Sequence, residues 1–515
     1  MALITEANRR WWILAAMTGS LSMILLDQTI VSVALPSIQR DLDLTQTEVQ
    51  WVVNAYLLAI ASLVAVGGRF STMFNAVRMF QIGVIVFAVG SAATGLADNE
   101  TMIIGARALQ GVGAALMIPP SGSLVINSFP QHERGRAMGI YAGVSMVFLS
   151  LGPLIGGLLT EIDWRLVFWV NVPVAIATIL LTLVAKPEAH AAGGRFDWAG
   201  TLTLVPGLVA LVLALQQGNV WGWSAPITIG LLAVAAVLLL AFLIVEPRVH
   251  EPIVELRLFL GRNFAGNNAV LFLVQFALVG MTVFGAIFVQ DILGFSAIEA
   301  GLSMLAVTLP LLVLAPLAGG VYDKIGPRGL VTAGCAVGAA GLIWSAAVLS
   351  KDSYPWLIPG YIAIGVGIGL VMGPSNTDAM SAAAAQFRAQ AQGVIQTMRQ
   401  VGATIGLAIM GVVVSTVQDG RLQTNLTDIG APPGTYDQVE NVLSQGADGQ
   451  ASALAQVPPS ERAGLVSAVQ DATTSGISAA FYIGGAALAV GAVVAFLVLR
   501  HVHYDDEGDP PVAAG

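Results

Sequence analysis

Long apolar runs, each closed by a short polar, charged or Gly/Pro stretch, recur along nearly the whole chain. Fourteen of them have the length that a membrane-crossing helix needs, about 20 residues for a hydrocarbon core of roughly 30 Å. They cover residues 11–36, 48–68, 79–97, 102–126, 136–160, 164–185, 199–215, 226–245, 265–290, 301–320, 330–349, 356–374, 391–416 and 477–498. The pattern predicts an all-α membrane protein. Composition agrees: of 515 residues, 56% are hydrophobic and 10% charged, whereas a soluble chain carries about a quarter charged residues. The first run is too long for the core of a cleaved leader and no small-residue cleavage site follows it, so it is expected to remain as a span.

The connectors between runs give an orientation, because Lys and Arg in short loops favour the cytoplasmic side. With the N-terminus inside, fifteen of them fall in inside segments, against Arg40, Arg165 and Lys351 in the short outer loops. Both termini are therefore expected in the cytoplasm. Three Lys against nineteen Arg hint at a GC-rich bacterial genome; the bacterial cytoplasmic (inner) membrane is the location that goes with the family resemblance given below. The net charge of −9 argues against nucleic acid as a partner. Cys335 is the single cysteine, so no intramolecular disulfide is possible and no metal or redox signal arises. No cofactor is expected beyond a proton gradient.

GVGAALMIPPS at 111–121 matches GVGIGLVMGPS at 365–375 in six of eleven positions, an offset of 254 that also relates Gly139 to Gly393, Gly152 to Gly406 and Gly157 to Gly411. The fourth and fifth helices thus repeat as the twelfth and thirteenth. The expected organisation is a six-helix half over 1–190, two inserted helices over 191–250, and a second six-helix half over 251–504. A polar external loop is expected at about 417–476, with PPSERAGLVSAVQDAT (458–473) as a short amphipathic helix showing Leu465, Val466 and Val469 on one side. The tail 505–515 has a disordered composition.

Asp27 is the anomaly. At 1.5 Å per residue it lies about 14 Å from the outer end of its run, near the membrane centre, where an ionised carboxylate costs several kcal/mol and so marks a pathway or a partner. Arg107 lies about 8 Å below the outer end of the fourth run, in the same outer half as Asp27, and the two are expected to pair if the first and fourth helices are neighbours, as the family resemblance given below implies. Burial opposes charge on a carboxyl and a nearby guanidinium favours it. A change in their separation could therefore capture or release a proton, and Asp27 with Arg107 is the expected coupling pair. A cationic substrate competing for Asp27 would also give exchange. The alternative is a permanent salt bridge that only holds helices together.

For a lipophilic cargo site, the residues offered are Gln28, Asn54, Tyr56 and Gln110 in the first half and Gln275, Phe284 and Gln290 on the ninth helix, polar and aromatic groups in apolar surroundings. Arg399 is expected near the cytoplasmic end of its helix, where it can snorkel. No HExxH, nucleophile elbow or GxxxxGK[ST] occurs, and GVG at 111–113 lies inside a span, so an enzyme or ATP-driven pump is disfavoured.

The segments LDQTIVSVALP (26–36), RALQGVGAALMIP (107–119), GPLIGGLL (152–159), WRLVFWVNVP (164–173) and FDWAG (196–200) occur in an order and spacing over nearly the whole chain that resembles one family. This is the fourteen-helix drug:proton antiporters of the major facilitator superfamily, typified by QacA-like and EmrB-like exporters. The resemblance implies two pseudo-symmetric six-helix halves, with the first and fourth helices lining a central cavity. It implies proton-coupled export of lipophilic, often cationic, drugs or toxic compounds by alternating access. Export or flipping of a native lipid or metabolite is the alternative, ahead of a nontransporting sensor or an enzyme. Protons, small lipophilic or cationic substrates and membrane lipids are the implied partners of a monomer.

The resemblance also makes Gly152, Pro153, Gly156 and Gly157 the glycine-rich motif of exporters. One motif departs. The first-half cytoplasmic turn, GRFSTMFNAVR (68–78), keeps Gly68, Arg69 and Arg78 but has Thr72 for the usual aspartate, Met73 for a base and Asn75 for a glycine. The second-half counterpart, GGVYDKIGPR (319–328), keeps Asp323, Lys324 and Arg328. The first half therefore lacks a charge cluster that would help hold one state, and an altered balance between inward- and outward-open forms is expected; the alternative is that Arg69 and Arg78 serve only the inside-positive bias.

Overall fold

The computed structural model describes residues 5–189, 191, 193–428 and 459–501. Fourteen helices in it are long and apolar enough to cross a membrane. In the first half they are α1 (Glu6–Asp41), α2 (Gln46–Phe74), α3 (Ala76–Gly95), α4 (Glu100–Ser128), α5 (Gln131–Thr160) and α6, which is Leu166–Trp169 continued by Asn171–Ala185. The inserted pair is α7 (Trp198–Trp221) and α8 (Pro226–Val245). The second half holds α9 (Arg262–Ile287), α10 (Ala297–Ser303 continued by Leu305–Ile325), α11 (Pro327–Val348), α12 (Tyr354–Ser381), α13 (Arg388–Asp428) and α14 (Pro459–Val498). An even number of spans puts both termini on one face, called here the termini face.

Most predicted runs sit inside helices that outlast them, but 79–97 ends two residues past α3, 164–185 starts two residues before α6, 330–349 ends one residue past α11, and 265–290 runs on from α9 into a π-helical turn. Their ends are set by local chemistry that hydropathy does not read. Thr45 caps α2 in a reciprocal box with Glu48, and Asn99 accepts from the Met102 N–H at the start of α4. The helix α1 carries Pro36 and continues to Asp41. The predicted separate amphipathic helix at 458–473 is not separate: it is the first part of α14, in line with the last span. With about 60 Å each at 1.5 Å per residue, α13 and α14 project well past a 30 Å core. Gln418 donates to the Thr473 hydroxyl and Asn425 to the Ala468 carbonyl and Asp471, so the two arms pack as a pair. Leu422 and Ala472 are buried along that seam. The central part of the predicted external loop, 429–458, and the tail 505–515 lie outside the described residues, as does the side chain of Leu465.

Helices α1 to α6 pack among themselves and α9 to α14 do likewise, with the repeat segments 111–121 and 365–375 on the equivalent helices α4 and α12. The halves meet along two seams, α5 on α10 and α2 on α13. Where α5 crosses α10, Gly135 and Gly319 face one another's backbone so closely that a Cβ on either would strike the other's carbonyl. The helix α7 touches both α2 and α13, whereas α8 rests on α7 and shows most of its surface outward. Two apolar clusters fill the interior. The smaller, around Leu26, Ile30, Val52 and Phe168, belongs wholly to the first half and surrounds Asp27.

Candidate functional site

Asp27 is fully buried, and Arg107 is 1% exposed. Arg107 Nη1 donates to Asp27 Oδ2 at 2.7 Å and to Gln110 Oε1 at 2.7 Å, and its Nε donates to the Val52 carbonyl at 2.9 Å. The other carboxylate oxygen, Oδ1, accepts from Gln110 Nε2 at 2.7 Å and Asn171 Nδ2 at 3.1 Å. Asn171 donates in turn to Ser91 Oγ, and the guanidinium carbon lies 4.3 Å from the centroid of the Tyr56 ring. One carboxylate thus ties α1 to α4 and α6, with α2 supplying an aromatic wall and α3 a hydroxyl. A charge in so dry a place persists only when paired and hydrogen-bonded, and here both conditions hold.

This geometry corrects two expectations. Asp27 faces inward within its own half, so it does not line the space between halves where a cationic cargo would compete for it. Tyr56 and Gln110, offered as cargo contacts, are buried in the same cluster. Gln28 and Asn54 are half-buried on α1 and α2. On α9, Phe284 is buried, Gln275 has a buried amide oxygen without a partner, and Gln290 is exposed in a short π-helical turn, bonded back to the Ala286 carbonyl. Asn171 and Ser91 went unnoticed in the sequence; the readable signal was an amide inside the apolar stretch WRLVFWVNVP.

Arg399 stands eleven residues into α13, about 17 Å from the helix start at 1.5 Å per residue. Its Nη1 donates to Gln396 Oε1 at 2.8 Å, its Nε is buried without a partner, and the side chain keeps part of its surface accessible.

The glycine motif on α5 fits its helix closely at two of its four positions. Gly152 and Gly156 lie against Thr29 and Ile30 of α1, whereas Gly157 meets nothing within 4 Å. Thr29 Oγ1 donates to the Leu149 carbonyl at 2.8 Å. Pro153 sits within an unbroken helix, against Gly301 of α10.

At the termini face the two turns behave differently. Asp323 accepts from the Gly135 N–H at 2.8 Å and the Arg136 N–H at 3.2 Å, a carboxylate of one half at the positive end of a helix of the other. Lys324 is exposed, and Arg328 lies 4.6 Å from the Phe496 ring centroid. Next to Asp323, Tyr322 donates to Asp378, a buried carboxylate that also accepts from Asn263 and Asn267. In the first-half turn, Thr72 donates to its own helix at the Gly68 carbonyl, and Gly68 lies against the backbone of Ala389 and Gln390. Asn75 adopts φ 102°, the left-handed side that the usual glycine would supply, and its Oδ1 caps α3. Arg78 is exposed, but Arg69 is 4% exposed and donates to Glu251 at 3.1 Å and to the Arg195 carbonyl. Arg69 is thus more than a topological charge: an acid from the loop before α9 joins the turn that lacks its own.

The sequence profile of the Major Facilitator Superfamily matches residues 17–407. The chain is 33% identical over 503 residues to a tetracenomycin C resistance and export protein of Streptomyces glaucescens, covering 96% of this chain and 92% of that protein. It is 32% identical over 489 residues to the multidrug resistance protein Stp of Mycobacterium tuberculosis, covering 94% and 91%. Among solved structures, the proton:xylose symporter XylE has the same fold, with a TM-score of 0.60 at 12% identity over 95% of each chain. A profile match over most of the chain, with relatives above 30% identity nearly end to end, shows that the chain belongs to the Major Facilitator Superfamily, where its relatives include antibiotic- and multidrug-resistance exporters.

Proposed function

We propose that this protein is a proton-coupled exporter of lipophilic small molecules that works by alternating access, with Asp27 as its proton site. The observation that carries the reading is an ionisable carboxyl sealed in the middle of a span, since such groups in membranes mark proton and substrate pathways. The names of the relatives, resistance and export of tetracenomycin C and multidrug resistance, support a drug-like cargo. The excess of Lys and Arg at the termini face supports a cytoplasmic placement for it, and the relatives' bacterial hosts support a bacterial cytoplasmic membrane.

The cluster supplies a physical route. When Asp27 is ionised it holds donors from α4 and α6 at both oxygens. Protonation removes the charge that orients them and weakens each of those bonds, because charge-assisted hydrogen bonds are roughly twice as strong as neutral ones. The helix α1 is then less firmly tied within its half. Thr29, two residues on, bonds to α5, and α5 carries the seam with α10 and the Asp323 junction. A shift of α1 thus reaches the surface on which the halves rock. The Asp323 junction stabilises the arrangement closed at the termini face.

The test uses proteoliposomes holding the full chain, with an imposed pH gradient and a panel of neutral and charged lipophilic dyes. Wild type is expected to move dye with proton counterflow, and Asp27→Asn to bind dye while losing the proton movement. Full coupling in Asp27→Asn would remove Asp27 from the mechanism. Absence of gradient-driven movement in wild type, across the panel, would remove the export reading itself.

A further inference from the structure

Within the membrane-spanning part, the charges of the two halves are handled differently. Asp27 and Arg107 cancel one another. Asp378 lies three residues from the end of α12 and is held by Asn263, Asn267 and Tyr322. Arg399 has no carboxylate within ion-pair distance among the described residues; its only bonded acceptor is the neutral amide of Gln396.

Its direction is fixed by its neighbours on α13. Gly393 packs against Val64 and Ala65 of α2, while Gly402 and Gly406 pack against Phe272 and Phe276 of α9. At 3.6 residues per turn, Arg399 projects between those two contact lines, on one stripe with Gln392 and Gln396. The stripe faces the first half: Gln392 lies against Gly122 of α4. Arg399 is therefore at the join of the halves, with part of its surface open.

A guanidinium carries five N–H donors in a planar fork that matches a carboxylate. Here one donor has a partner and Nε is buried without one, and on the same stripe the amide oxygen of the 1%-exposed Gln392 is also unpartnered. An unpaired cation and a spare acceptor in a dry setting favour a ligand that brings a negative charge and a hydroxyl donor.

We propose that Arg399 anchors an acidic cargo, so that the transported class is amphipathic organic anions, such as aromatic carboxylates or phenolates bearing hydroxyl groups, and not lipophilic cations. The proposal rests on the export reading for the word cargo; the binding site itself does not need it.

The experiment measures binding to the full chain in nanodiscs of three probes: a dihydroxyanthraquinone carboxylate, its methyl ester, and tetraphenylphosphonium. Wild type should bind the carboxylate at least about tenfold tighter than the ester, the scale of one charge-assisted bidentate contact. Arg399→Gln should bring the two within about twofold, and Arg399→Lys should keep part of the preference. Equal binding of acid and ester by wild type, a preference for tetraphenylphosphonium, or an unchanged preference in Arg399→Gln would overturn the proposal. If Arg399→Gln does not fold, the wild-type comparison and Arg399→Lys decide. Anion-selective binding without gradient-driven transport would keep the site and sink the export reading, whereas proton-coupled movement of neutral or cationic dyes without anion selectivity would do the reverse.

Discussion

The two halves share a fold and treat charge in opposite ways. The first half encloses Asp27 and Arg107 as a neutral pair with donors and acceptors matched, walled off from the space between halves. The second half leaves Arg399 single and partly accessible at that space. At the termini face the contrast inverts, since the second-half turn supplies its own acid in Asp323 while the first-half turn uses one from a distant loop. A duplicated fold therefore does not imply duplicated roles: one half is built to hold a proton-sensitive tie, the other to present a charge.

The largest effect expected from breaking this contrast is in the first half. Arg107→Leu would leave the fully buried Asp27 without its cation, and removing one partner of a buried pair costs about 3–5 kcal/mol. A thermal melt in detergent should fall sharply. Adding Asp27→Asn should recover most of the loss, because a neutral amide no longer needs the cation and can still accept from Gln110 and Asn171. A double variant as unstable as Arg107→Leu alone would show that the guanidinium matters through its Val52 and Tyr56 contacts and not through charge.

The span count, the repeat and Asp27 were legible because hydropathy and intramembrane charge are strong signals along a single chain. The direction in which Asp27 points was not. A helix at 1.5 Å per residue gives depth, but its facing depends on which neighbours pack around it, and here Ile30, Val31 and Ala34 turn that side toward the interior of the half. Arg399 shows the same limit: its distance along the helix is readable from the sequence, but its setting depends on Gly402 and Gly406 bringing α9 close. The arms of α13 and α14 were hidden because polar faces that pack on one another read as loop.

The next effect concerns the junction that both turns serve. Asp323→Asn keeps the shape of the side chain but loses the charge at the start of α5, a change worth about 1 kcal/mol when a carboxylate meets a helix N-terminus. Hydrogen exchange over residues 131–138 should speed up several-fold, since about 1.4 kcal/mol of local opening is a tenfold change in rate. Unchanged exchange there would mean that the Gly135–Gly319 crossing alone holds the seam.

The smallest effect is expected where the acid is borrowed. Glu251 is 40% exposed on its side chain and meets Arg69, which is 5% exposed, so solvent screens the pair from one side only. The Arg195 N–H also donates to Glu251, and Gln390 Nε2 of α13 donates to the Pro252 and Ile253 carbonyls of the same loop. The loop before α9 thus touches α2 and α13 together, at the seam where Thr72 contributes no charge. Glu251→Gln should loosen it by no more than about 1 kcal/mol, the upper range for an exposed pair, because the Gln390 bonds remain. The sharper comparison adds Gln390→Ala to Glu251→Gln. If the loop is the first-half counterpart of Asp323, the double variant should raise exchange at the start of α13 as much as Asp323→Asn does at the start of α5. Separate, additive and small effects would instead make the loop a passive covering, and the termini face would then be braced by the second-half turn alone.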